Sequence, residues 1–144
     1  MDFFGLAMAE FGSISERRQA RMVDASLSGL PPFLIEGSGL NSGFMIPQYV
    51  SASLVSENKV LAHPSCVDSI PTSANQEDHV SMGGYSARKA AAILDNVRKV
   101  VAVELLTGAQ ALEFSLKDLR PGKGTGAAHA CIRSAIPFLR RDEF

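Results

Sequence analysis

Apolar and polar positions alternate with helical rather than strand period along most of the chain. Leu6, Ala9, Phe11, Ile14 and Met22 form a loose stripe that predicts a helix over 2–25. Ser13 and Glu16 have the spacing of a capping box, so the helix either begins there or is one long helix bent at Gly12. The Gly-, Pro- and Ser-rich stretch 28–43 breaks the pattern and predicts an ordered loop. A second helix is expected over 43–61, with Pro47 in its first turn, where a missing N–H is tolerated. Pro64 and Pro71 make 63–73 a loop.

The longest periodic segment covers 75–114. Ala90, Leu94, Val97, Val101, Leu105 and Leu112 recur every three to four residues or at multiples of that spacing, and Arg88, Asp95 and Lys99 lie opposite. Ser73 and Gln76 offer a capping box at its start. Between Val100 and Leu106 only Glu104 is charged, so this stretch should be deeply buried, by more than this chain supplies. The segment LRPGKGTG then reads as a flexible connector to a last helix over 127–136. No convincing strand is present. The fold class expected is all-α, with residues 1–144 forming a single helical segment.

Composition narrows the function. Apolar residues make up 46% and charged residues 20%, enough for a real core, and the net charge of −1 gives no footprint for nucleic acid. Arg17, Arg18 and Arg21 are expected on a solvated face or against a partner. The apolar run from Phe3 to Ala9 is too short for a signal peptide and follows Asp2 where a positive charge belongs. No stretch is long enough to span a membrane, and a cytoplasmic location is expected. Cys66 and Cys131 lack metal-type spacing with His63, His79 and His129, so two buried free thiols and no metal are expected.

Two segments stand out chemically. Residues 73–79 carry six polar side chains around an expected helix start, where free N–H groups stabilise carboxylates such as Glu77 and Asp78. From composition alone a well-capped helix is the preferred reading over a catalytic site. Gly37, Gly39 and Gly43 imply tight backbone geometry or close approach of another chain. Gly122-Lys123-Gly124-Thr125-Gly126 has the wrong spacing for a phosphate-binding loop.

Longer strings go further. GSISERR (12–18), GLPPFL (29–34), SGLNSGFMIPQ (38–48), SENKVLAHP (56–64) and VDSIPTSANQEDHVSMG (67–83) resemble histidine ammonia-lyase in order and spacing over nearly the whole chain. The phenylalanine and tyrosine ammonia-lyases differ in the SANQEDHVSMG stretch, while Ser65-Cys66 stands where the family usually has Ala-Ser. The resemblance implies long antiparallel helices of an ammonia-lyase bundle, part of the central and C-terminal region of a larger lyase fold and assembled as a homotetramer. It implies conversion of L-histidine to trans-urocanate and ammonia, the first step of histidine degradation, through a methylidene-imidazolone ring (MIO) formed from Ala-Ser-Gly. By the same resemblance Glu77 is the active-site glutamate near the substrate imidazole, and Gln76 is a substrate-lining neighbour. Ala-Ser-Gly occurs nowhere in this sequence. The family's carboxylate-binding arginine and catalytic tyrosines belong to segments N-terminal to these residues, and the family continues past the position of Phe144. The expectation is therefore a fragment, inactive alone, whose partner is a second copy or an N-terminal lyase segment. A non-catalytic helical assembly partner, or truncated paralogue, is the alternative.

Overall fold

The structure, a computed structural model, describes residues 1–116 and 119–143. Five α-helices and no named strand occur among the described residues: α1 (Asp2–Val23), α2 (Ala25–Ser28), α3 (Met45–Leu61), α4 (Gly83–Ser115) and α5 (Lys123–Ala135). The all-α expectation holds. Gly12 does not break α1, and Ser13 caps no helix, because the helix is continuous through both.

The packing of α1 differs from its apolar stripe. Its buried residues are Gly5, Ala9, Gly12, Ser15, Glu16, Gln19 and Val23. Leu6, Phe11 and Ile14 are instead about half exposed, at 43%, 51% and 49%. The small residues explain this. A Cβ at Gly5 would lie 3.2 Å from Ile93 Cδ1, and one at Gly12 would lie 3.1 Å from Val97 Cγ2. Glycine lets α1 approach α4 closely, and close approach wins over burying the bulkier face. On α4 the same shift appears: Ile93, Val97 and Val100 are buried, whereas Leu94 and Leu105 are 37% and 54% exposed.

The contacts Gly5–Ile93, Gly12–Val97 and Val23–Ala111 advance together, so α1 and α4 run in the same direction. α3 runs antiparallel to both, with Phe44 at its start near Ala111 and Asn58 near its end bonded to Asn96. Two apolar clusters result. Ala9, Ile93 and Val97 form one. Val23, Leu34, Phe44 and Ala111 form the other, beside Phe114 and Leu139. Polar side chains bridge the layers: Gln19 Nε2 donates to the Val100 carbonyl at 2.9 Å, and Asn96 Nδ2 donates to Asn58 Oδ1 at 3.0 Å.

Three further expectations change. Cys66 and Cys131 are free but exposed, since neither faces a cluster. α5 starts at Lys123, so Lys123 to Gly126 form its first turn instead of a connector. α4 starts at Gly83, eight residues after Asn75. The capping box at Ser73 and Gln76 does not act, because Ser73, Ala74 and Asn75 take left-handed φ values of 51°, 52° and 68°. That conformation cannot continue into a right-handed helix.

Candidate functional site

The segment between α3 and α4 carries Gln76 and Glu77. Thr72 and Glu77 pair as a single antiparallel bridge. The Thr72 N–H donates to the Glu77 carbonyl at 3.0 Å, and the Glu77 N–H donates to the Thr72 carbonyl at 3.4 Å. The left-handed residues turn the chain between them, and the Gln76 N–H closes on the Ser73 carbonyl at 3.1 Å. Consecutive left-handed non-glycine residues cost about 1–3 kcal/mol each, and such strain clusters at functional positions. The Thr72 hydroxyl donates to Glu77 Oε2 at 3.4 Å, so the carboxylate is partly oriented from within the hairpin. Every residue from 71 to 79 is exposed, Gln76 and Glu77 among them. The two residues stand together on this hairpin and not at a helix N-terminus.

At the foot of the segment lies a polar junction. The Asp2 carboxylate accepts the Cys66 N–H at 2.8 Å and the Ser86 hydroxyl at 2.7 Å. Lys89 Nζ lies 4.0 Å from Asp2 Oδ1 and donates to the His63 carbonyl. The hydrogen bond from Ser86, with those of Cys66, holds the Asp2 carboxyl well below the usual carboxylate range. Hydrogen bonding of the Cys66 thiol itself to Asp2, with burial, pushes that thiol up. A cleft of about 310 Å³ opens here, lined by Asp2, Cys66, Asp68, His79 and Met82. Neither Glu77 nor Gln76 lines it. A larger groove of about 620 Å³ lies between α1, α4 and α5, with Met22, Leu105, Leu112 and Ile132 on its walls and the Arg18–Glu104 pair at its rim. It does not include the hairpin.

The 33–45 loop is held from the C-terminal side. The Asp142 carboxylate accepts the Ser42 and Gly43 N–H groups at 2.7 and 2.9 Å. Gly43, at φ +52°, is packed so tightly that a Cβ would sit 2.6 Å from the Phe33 carbonyl oxygen. Both Ser42-containing amides are thus committed to the fold, and the chain has no Ala-Ser-Gly, so its own residues do not fit as the source of a methylidene-imidazolone ring. Among the described residues, no group of three metal-ligating side chains converges. His129 Nε2 instead lies 2.9 Å from Glu113 Oε1. No helix among these residues is long and apolar enough to cross a membrane.

The Asp2 junction, Gln110 and Asp142 carried no sequence signal beyond an acidic residue in a first helical turn, because their partners lie 64 to 101 positions away or at 23 to 76 positions for Gln110.

Residues 1–134 match the family described as aromatic amino acid lyase. A histidine ammonia-lyase of Deinococcus radiodurans is 56% identical over 144 residues, covering 100% of this chain and 27% of the relative. One from Caldanaerobacter subterraneus is 58% identical over 99% of this chain and 28% of the relative. The crystal structure of histidine ammonia-lyase from Trypanosoma cruzi superposes with a TM-score of 0.94 at 47% identity, covering 99% of this chain and 28% of that one. A phenylalanine aminomutase of Pantoea agglomerans gives the same TM-score at 33% identity, covering 100% of this chain and 28% of that one. The chain therefore spans little more than a quarter of the length of the relatives it matches.

Proposed function

Because the chain belongs to the aromatic amino acid lyase family, we propose that it supplies the Glu77 and Gln76 wall of a histidine ammonia-lyase site. The assembled enzyme would convert L-histidine to trans-urocanate and ammonia by non-oxidative deamination. The observation that carries this reading is the strained hairpin that displays both side chains, held within a chain so similar to enzymes of that name.

The chemistry open to these residues is definite. An ionised Glu77 offers acceptor oxygens that can orient an imidazole N–H or take up a proton, and Gln76 offers two N–H donors and a carbonyl beside it. The electrophilic ring that supplies the driving force in the family would have to come from residues outside these 144. The same holds for any group that binds the substrate carboxylate. The exposed apolar face of α1, with Phe3, Leu6, Phe11 and Ile14, supports assembly with further lyase chain or with copies of this one, up to the tetramer the resemblance implies. A cytoplasmic enzyme is proposed.

One competing reading is a non-catalytic assembly partner, which would need only the exposed apolar face of α1. One assay separates the two. The purified chain is mixed with an N-terminal lyase segment bearing Ala-Ser-Gly, and urocanate is followed by its ultraviolet absorbance. The expected result is no turnover by the chain alone and turnover by the mixture. Association without turnover would favour the assembly partner, and turnover by the chain alone would overturn both readings.

A further inference from the structure

We propose that Asp2 is a positioning residue for the hairpin: its carboxylate ties the segment 62–82 to the start of α4 and so decides where Glu77 stands. This rests on the reading of Glu77 as a site residue.

The segment has little else to hold it. Residues 71–79 are all exposed, and between 64 and 81 only Ser65 is buried. Its internal hydrogen bonds are local: Asp68 to Ser65, Thr72 with Glu77, Gln76 to Ser73, and Val80 to Ser69 Oγ at 2.9 Å. Two hydrogen bonds tie its base to distant parts of the chain. The Cys66 N–H reaches Asp2, and Lys89 reaches the His63 carbonyl. Both converge on one junction, because Lys89 also faces Asp2 and Ser86 binds the other Asp2 oxygen. The side chains of Asp2 and Lys89 are only 9% and 10% exposed, so water has little access to the carboxylate and the ammonium from their own side. Asp2 opens α1 and Ser86 lies in the first turns of α4, so one carboxylate joins two long helices to the base of the hairpin. α1 is in turn locked to α4 by its glycine contacts. The Asp2 oxygens therefore occupy a fixed point, and the segment hangs from it.

Asp2→Ala removes both acceptors. Asp2→Asn keeps the shape and one acceptor oxygen, and it guards against a variant that fails to fold. On the chain itself, amide exchange across 66–82 should rise about tenfold or more in Asp2→Ala, and less in Asp2→Asn. The Val97 and Val100 amides should stay within about twofold. Unchanged exchange across 66–82 would overturn the anchor. In the reconstituted lyase, Asp2→Ala should lower kcat by about tenfold or more while KM changes little. The decisive arm is the pair with Glu77→Gln. If Asp2 acts by placing Glu77, Asp2→Ala should lower kcat no further once Glu77 is neutral. A merely structural role would give additive losses and overturn the positioning claim. If the unsubstituted mixture forms no urocanate, the lyase reading fails, and the exchange arm still decides the anchor by itself.

Discussion

Gln110 lies fully buried on α4, and its amide is used to capacity. Nε2 donates to the Leu34 carbonyl at 3.0 Å and to the Leu139 carbonyl at 2.8 Å. Oε1 accepts the Leu139 N–H at 3.1 Å and Arg133 at 3.2 Å. Two donors and two lone pairs are all that a glutamine offers. Replacing it by leucine keeps the size and removes every one of these bonds. The buried Leu34 carbonyl is left without that partner, at about 1–3 kcal/mol. The two Leu139 groups and Arg133 are half-buried or better placed to meet water, and lose about 1 kcal/mol each. The apolar side chain returns about 2 kcal/mol by its burial. The balance is a loss of about 3 kcal/mol, or roughly 10 °C in Tm for a chain of this size. Scanning calorimetry measures the shift, and amide exchange at Leu139 shows whether the C-terminal segment has come away. A fall of under about 3 °C with Leu139 still protected would refute the reasoning, since it would mean that the amide clasps nothing of consequence.

Gly43→Ala should destabilise by more than about 2 kcal/mol, because the alanine Cβ meets a backbone oxygen in a left-handed conformation; an unchanged urea midpoint would contradict this. Glu77→Gln should barely alter the Tm of the chain, as the side chain is exposed, yet lower kcat in the reconstituted lyase by about 100-fold; a lower Tm with unchanged kinetics would make Glu77 a structural residue. The Asp24, Asp95 and Asp142 carboxyls lie below their ordinary range, held by Ser26, by Lys99 and by the Ser42 and Gly43 N–H groups respectively. Burial raises Glu104, but Arg18 and Ser15 bring it below its ordinary value overall. A depressed folded pKa means that the folded state binds fewer protons, so this stabilisation is present above the unfolded carboxylate pKa of about 4 and is lost progressively below it, as pH falls through the lower folded values. The urea midpoint should therefore drop between pH 6 and pH 3, and an equal midpoint at both would count against these bonds.

Much of the helical layout was legible in the sequence, and the failures have specific causes. Pro47 and the loops around it located α3 to within two residues, because proline and glycine act locally. The stripe on α1 misdirected the expected packing, since helix contact there is set by Gly5 and Gly12, which carry no hydrophobic signal. The start of α4 was misplaced because a capping pair is a local preference, and a left-handed turn stabilised by the Thr72–Glu77 bridge overrode it. Glu77 and Gln76 were nominated by resemblance of the surrounding string, while their chemistry alone pointed to a helix cap. The hub at Asp2 was invisible because its partners are brought together only by the fold.

The exposure of residues 71–79 separates the hairpin from the packing that folds the chain. A substitution on the hairpin touches no buried cluster, so it leaves the helices as stable as before. Change on the hairpin is therefore cheap in stability, whereas change at Gly5, Gly12 or Gly43 is not. A scaffold built in this way can vary one exposed strap while its framework stays constant.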